Sequence, residues 1–132
     1  MSSIDAIRKG IATNLGTIPG LRTSDYWRDN PRPPIAMVLP DTVEYDLNAN
    51  RGADEMSFVV SVLVGRADDR AAQRNADQYI VGPNSVKAAI ESDRTLGGAA
   101  NTCRVERMRS YGQVSIGEVI YLELQFEVEV VA

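Results

Sequence analysis

The chain contains no histidine. That absence removes the side chain best suited to general-base work near neutral pH, the commonest metal ligand, and every Ser-His or Cys-His nucleophile pair. Cysteine is nearly absent as well. Cys103 is the single one, so no internal disulfide can form, and one thiol without other soft ligands does not hold a structural zinc. Flanked by Thr102 and Arg104, Cys103 reads as a small buried apolar side chain rather than a reactive thiol. Long apolar runs are missing too. Phe58-Val59-Val60 and Val62-Leu63-Val64 are broken within a few residues, whereas a membrane span needs about 20 apolar residues in sequence. The opening Met1-Ser2-Ser3-Ile4-Asp5 has neither the basic nor the apolar stretch of a secretory signal, so the chain is expected to stay where it is made. Glycines at Gly97-Gly98 and from Gly112 to Gly117 lack the spacing of phosphate-cradling loops and read as turns. Enzymatic activity, metal binding and a cofactor are therefore not expected.

Excess positive charge is also lacking. With 14 Lys and Arg against 18 Asp and Glu, the net charge is -4, which argues against the basic face that draws a protein onto nucleic acid by counterion release. What is present is an ordinary globular composition, 44% hydrophobic and 24% charged over 132 residues. That is enough for one core, and the expectation is a single domain spanning 1–132.

Ile4, Ile7, Ile11 and Leu15 recur at helical spacing, which predicts a helix with that stripe inward and Arg8, Lys9 and Asn14 toward solvent. Ser2 with Asp5 matches a capping box, and Gly16, Pro19 and Gly20 supply the stop. Asp25 to Pro34 carries Pro31, Pro33 and Pro34 and reads as an extended connector, with Tyr26 and Trp27 as a hydrophobic anchor or an exposed interface anchor. Ile35 to Leu39 predicts a strand ended by Pro40-Asp41, and Thr42 to Tyr45 is compatible with its continuation past a bend. Asp46 to Glu55 is polar and suits a loop.

Met56 to Gly65 predicts a strand with Met56, Phe58, Val60, Val62 and Val64 on one face. Val59 and Leu63 make the other face partly apolar, so both faces need cover, from a helix or from another subunit. Asp68 to Val81 turns helical, and Gly82-Pro83 interrupts it. Pro83-Asn84-Ser85 then opens a second helix with Val86, Ala89 and Ile90 inward, or the two are one kinked helix. From Thr102 the pattern is a long hairpin turning through Gly112 to Gly117. On its return strand Ile120, Leu122, Leu124, Phe126, Val128 and Val130 alternate with Tyr121, Glu123, Gln125, Glu127 and Glu129, and Arg104, Arg107 and Arg109 lie on the partner strand. Together these elements predict an α+β fold, an antiparallel sheet of about four to five strands with helices packed on one face.

Candidate chemistry is sparse. Glu123, Glu127 and Glu129 share a strand face, where carboxylates could serve acid-base work or hold a divalent cation, but a solvated face is the favoured reading. In a ring whose hole this face lined, the same row would repel a DNA backbone and let it slide through. Asp41, Glu44, Asp46, Asp54 and Glu55 surround the polar loop without calcium-loop spacing, and Asn48 and Asn50 read as turn residues.

Several phrases resemble the tail terminator proteins of long, non-contractile-tailed phages. They are Gly82-Pro83-Asn84-Ser85-Val86-Lys87-Ala88-Ala89-Ile90-Glu91, then Thr95-Leu96-Gly97-Gly98, a basic strand to Tyr111-Gly112, and the closing Val119-Ile120-Tyr121-Leu122-Glu123-Leu124. The resemblance implies a virion protein at the head-proximal end of the tail. It would form a homo-oligomeric ring, usually of six subunits, that caps the tail tube, stops its polymerisation and joins a head-side connector, with DNA only as passing cargo. On that reading the tube-facing contacts are expected in the loop at Asn48, Asn50, Arg51 and Asp54, the intersubunit contact at Val59 and Leu63, and an acidic lumen at Glu123, Glu127 and Glu129. Another neck connector, a small ligand-binding domain and a regulatory module are the alternative readings.

Overall fold

The computed structural model describes residues 4–27, 31–45 and 54–132. The helix over Ile4–Leu15 (α1) buries Ile7, Ile11 and Leu15, as the spacing demands. It also buries Asn14, which was expected in solvent. The reason is a partner that lies far away in sequence: Asn14 Nδ2 donates to the carbonyls of Ile90 and Asp93, at 2.9 Å each. Those carbonyls close the end of another helix, and the amide satisfies both, the one at Ile90 buried and the one at Asp93 partly so.

The sheet has the order β1-β2-β3-β5-β4. Its strands are β1 (Arg22–Ser24), β2 (Ile35–Glu44), β3 (Glu55–Arg66), β4 (Thr102–Ile116) and β5 (Val119–Val131). All neighbouring pairs are antiparallel except β1 with β2, which run parallel. Three residues long, β1 has no periodicity to announce it, and the proline-bearing stretch that follows carries the chain back so that β1 and β2 point the same way.

β2 continues past Pro40 as expected, and the bend is a register shift between Pro40 and Thr42. The second half of the chain resolves into two helices, α2 (Arg70–Ile80) and α3 (Val86–Ile90). Asp69 caps α2 by accepting from Ala71 N, and Ser85 caps α3 by accepting from Ala88 N. Side-chain acceptors at these positions satisfy amides that the helix itself leaves free. Gly82, at φ +127, breaks the path between the two helices.

The hairpin is longer than the glycines suggest. β4 runs through Gly112, which pairs with Glu123, and the turn is only Gly117-Glu118. Gly117, at φ +63, occupies the first loop position, where a tight two-residue turn of the II′ kind needs glycine.

One face of the sheet is closed by all three helices. Ala36 and Val38, the Met56-to-Val64 alternation and the Leu122-to-Val130 alternation pack with α1, α2 and α3 into a single core. Two close approaches let the helices sit that near. A Cβ on Gly10 would lie 2.7 Å from Leu96 Cβ, and one on Gly65 would lie 3.0 Å from Ala72 Cβ. The other face is covered in part by the chain itself. Leu63, Ile35, Met37 and Tyr121 form a second buried cluster, with Val114, Ile116 and Val119 from the hairpin end packed against it.

Candidate assembly surface

Of the residues singled out from sequence, Val59, Leu63, Glu123, Glu127 and Glu129 share the helix-free face, because alternation puts every second residue of β3 and β5 there. Leu63 is not available on that face. It is fully buried beneath Tyr121 and the hairpin end, so the cover expected from another subunit comes from within the chain. Val59, two steps of the alternation away past Ser61, is only half-buried.

Glu123, Glu127 and Glu129 do share the face, but they are not a bare acidic row. Glu123 accepts from Ser61 Oγ at 2.6 Å and from Gln125 Nε2 at 3.0 Å. Glu127 lies 3.2 Å from Arg107 Nε, and Glu129 lies 3.5 Å from Arg104 Nε. The register pairs Arg104 with Glu129 and Arg107 with Glu127, which is what brings opposite charges together. Such pairs contribute roughly 0.2 to 1 kcal/mol each. Burial, the neighbouring Glu106 and Glu55 raise the Glu129 carboxyl above its ordinary value, against the pull of Arg104.

Bulges set the rest of the pattern. Register shifts leave Asp41 as the extra residue on β2, and Glu106 and Arg109 as extra residues on β4. All three are charged. Glu106 sits between Arg104 and Arg107, at 3.6 and 3.3 Å, and Arg109 reaches across to Asp41 at 3.9 Å. A bulge re-aims a side chain and twists an edge away from further ladder pairing. Each is one extra residue that flips the phase of the alternation beyond it, as from Val105 to Met108, and such a short interruption looks like any irregular stretch in the sequence.

Asp54, expected on a partner-facing loop, is buried at the end of the sheet. Its backbone exchanges two hydrogen bonds with Ala132, at 2.7 and 3.0 Å, which ties the last residue to the start of β3. Asn48, Asn50 and Arg51 lie outside the described residues. Tyr26 and Trp27 are both substantially exposed. Tyr26 is held by polar contacts instead, with its hydroxyl 3.2 Å from Asp5 Oδ1 and the Arg8 guanidinium 4.7 Å above its ring.

Sequence reasoning missed Glu91. Its carboxylate takes Lys87 Nζ at 2.6 Å, Arg94 at 3.0 Å and the backbone N–H of Val105 at 2.9 Å. Val105 stands at a β4 bulge, so Glu91 fastens the helical layer to the sheet edge and occupies an edge amide. Burial opposes its charge, but Lys87, the Val105 amide and Arg94 outweigh that and hold its carboxyl below the usual value. Beside it, burial pushes the Cys103 thiol up to about 11, so it stays protonated and inert.

The hollows of the surface are shallow and mixed. The two near the hairpin are about 400 Å³, between Arg66, Asp68, Gln113 and Glu118, and about 540 Å³, between Pro34, Arg66, Asp69 and Tyr121. Among the described residues no group of three or more Asp, Glu or Cys is placed to hold a metal ion. None of the described helices is long and apolar enough to cross a membrane. No protein-family model and no curated protein matches the chain. The functional reading therefore rests on the surface itself.

Proposed function

We propose that the protein is a structural, ring-forming subunit of a phage tail that caps the tail tube, ends its polymerisation and meets the head-side connector. The single observation that carries this reading is how cover is distributed over the sheet. Helices close one face, the hairpin end closes half of the other, and what stays open among the described residues is a charged half-face around Val59, flanked by the β4 edge and by the part of β2 beyond β1. A sheet left open at both edges is suited to standing beside copies of itself. The mechanism is steric: one ring surface matches the last tube ring, the opposite one offers no such match to a further tube subunit, and growth ends. The protein acts in the virion, at the head-proximal end of the tail, without turning over a substrate.

Two measurements test this. Light scattering on the purified protein, alone and with tail tube protein, should detect closed assemblies and binding to tube ends. Val59→Asp should weaken assembly while the monomer stays folded, because Val59 is only half-buried, and the repulsion from its cross-strand neighbour Glu127, which Arg107 already pairs, costs about 1 kcal/mol or less. A wild-type chain that remains monomeric beside tube subunits overturns the reading.

A further inference from the structure

Among the described residues, the two outer edges of the sheet carry exposed charge of opposite sign at neighbouring heights. On β4, Arg104 and Arg107 are about 60% exposed and Arg109 is 40% exposed, while the one acid among them, Glu106, is only 25% exposed. Glu127 and Glu129 on β5 pair with Arg107 and Arg104 but are only 22% and 29% exposed, so the solvent-facing charge of this edge is positive in a chain whose net charge is -4. At the opposite edge β1 covers β2 only from Ile35 to Met37, so the remainder of β2 has no outer neighbour among the described residues. That stretch exposes Asp41 and Glu44.

The registers fix the heights. Thr42 pairs with Ser57, Ser57 with Glu129 and Glu129 with Arg104, which makes one row across the sheet. Leu39, Val59, Glu127 and Arg107 make a second row. Asp41 falls between these rows on the β2 edge, Glu44 lies in the next row with Glu55, Val131 and Thr102, and Arg104 and Arg107 mark the two rows on the β4 edge.

We infer that the β4 edge of one copy docks against the β2 edge of the next, with Arg104 and Arg107 facing Asp41 and Glu44. This deepens the ring reading and rests on it. A sideways step that keeps the rows level has no rise along the strands, and a head-to-tail contact without rise closes into a ring, whereas one with rise grows into a filament. Strand direction agrees, since β4 and β2 are antiparallel and the alternation continues across the junction. The bulges, Pro40 and the Glu91 bond to Val105 N block continuous ladder pairing at these heights, so charged side chains carry the contact. The Arg109–Asp41 contact within the chain, at 3.9 Å between exposed groups, is weak enough to exchange partners.

The test uses the full chain in two charge-reversed forms, Arg104→Glu with Arg107→Glu, and Asp41→Lys with Glu44→Lys. Sedimentation velocity should find each form monomeric where the wild type assembles, and an equal mixture of the two should assemble again. In the mixture every acidic β4 edge meets a basic β2 edge, a rescue that contacts inside one chain cannot mimic. Circular dichroism establishes that both forms are folded; should either fail, Arg107→Gln and Glu44→Gln replace them and should each weaken assembly by about tenfold. Wild-type assemblies that survive both reversals overturn the edge contact and leave the ring reading intact. A wild type that never assembles overturns both, and so does binding of a short DNA duplex through Arg104 and Arg107 without self-association.

Discussion

Three residues set how the helical segments pack on one another and on the sheet edge, and each makes a stability prediction. Asn14 satisfies two helix-end carbonyls from 76 and 79 residues away, at Ile90 and Asp93. Asn14→Leu removes both donors and leaves those acceptors unpaired, one buried and one partly so, and it should cost about 1 to 3 kcal/mol in urea denaturation although it makes the helix stripe more apolar. Gly10 behaves oppositely to its helix propensity. Alanine is the better helix former, yet its Cβ would meet Leu96 Cβ at 2.7 Å and Leu96 O at 2.9 Å, so Gly10→Ala should destabilise by about 1 to 3 kcal/mol. Glu91 sets an acid limit. Its folded pKa lies below the ordinary 4.5, so the stability it contributes is fully present above that value and drains away as pH falls through the lower folded one. Glu91→Gln should lower stability at pH 7 and flatten the acid limb of the stability-pH curve. Glu129 has the opposite sign: its raised pKa makes its contribution largest in acid and smaller once it ionises.

The elements were legible where a pattern repeats over many residues. The β5 alternation from Leu122 to Val130 and the α1 stripe of Ile7, Ile11 and Leu15 could be read directly, because burial recurs with the period of the element. Ile4 and Ile120, read as inward, are exposed, whereas Tyr121 and Asn14 are buried. Short or interrupted elements were not. β1 has three residues, and the bulges at Asp41, Glu106 and Arg109 shift register without altering composition. The hairpin turn shows the same limit. Gly112 and Gly117 look alike in the sequence, but only Gly117 has positive φ, and Gly112 sits in regular strand with open space where its Cβ would be. Gly117→Val should therefore destabilise the hairpin by about 1 to 2 kcal/mol, while Gly112→Val should be neutral or stabilising, as thermal unfolding of the two variants would register.

Across the whole molecule, the two faces of the sheet part company. Leu63→Asp should unfold the protein, because it puts a charge under Tyr121, Met37 and Ile35 with no partner, whereas Val59→Asp should be tolerated by the monomer. Far-ultraviolet circular dichroism during heating separates these outcomes. Composition and periodicity by themselves determined the fold class, the inward face of each long element and the lack of histidine chemistry, since these depend on which residues are near one another along the chain. They could not determine which half of the second face is covered, that Asp54 is buried, or that Arg104 and Arg107 lie level with Asp41. Those depend on strand order, register and bulges, and such relations join residues that are distant in sequence, fixed only when every strand has found its neighbour.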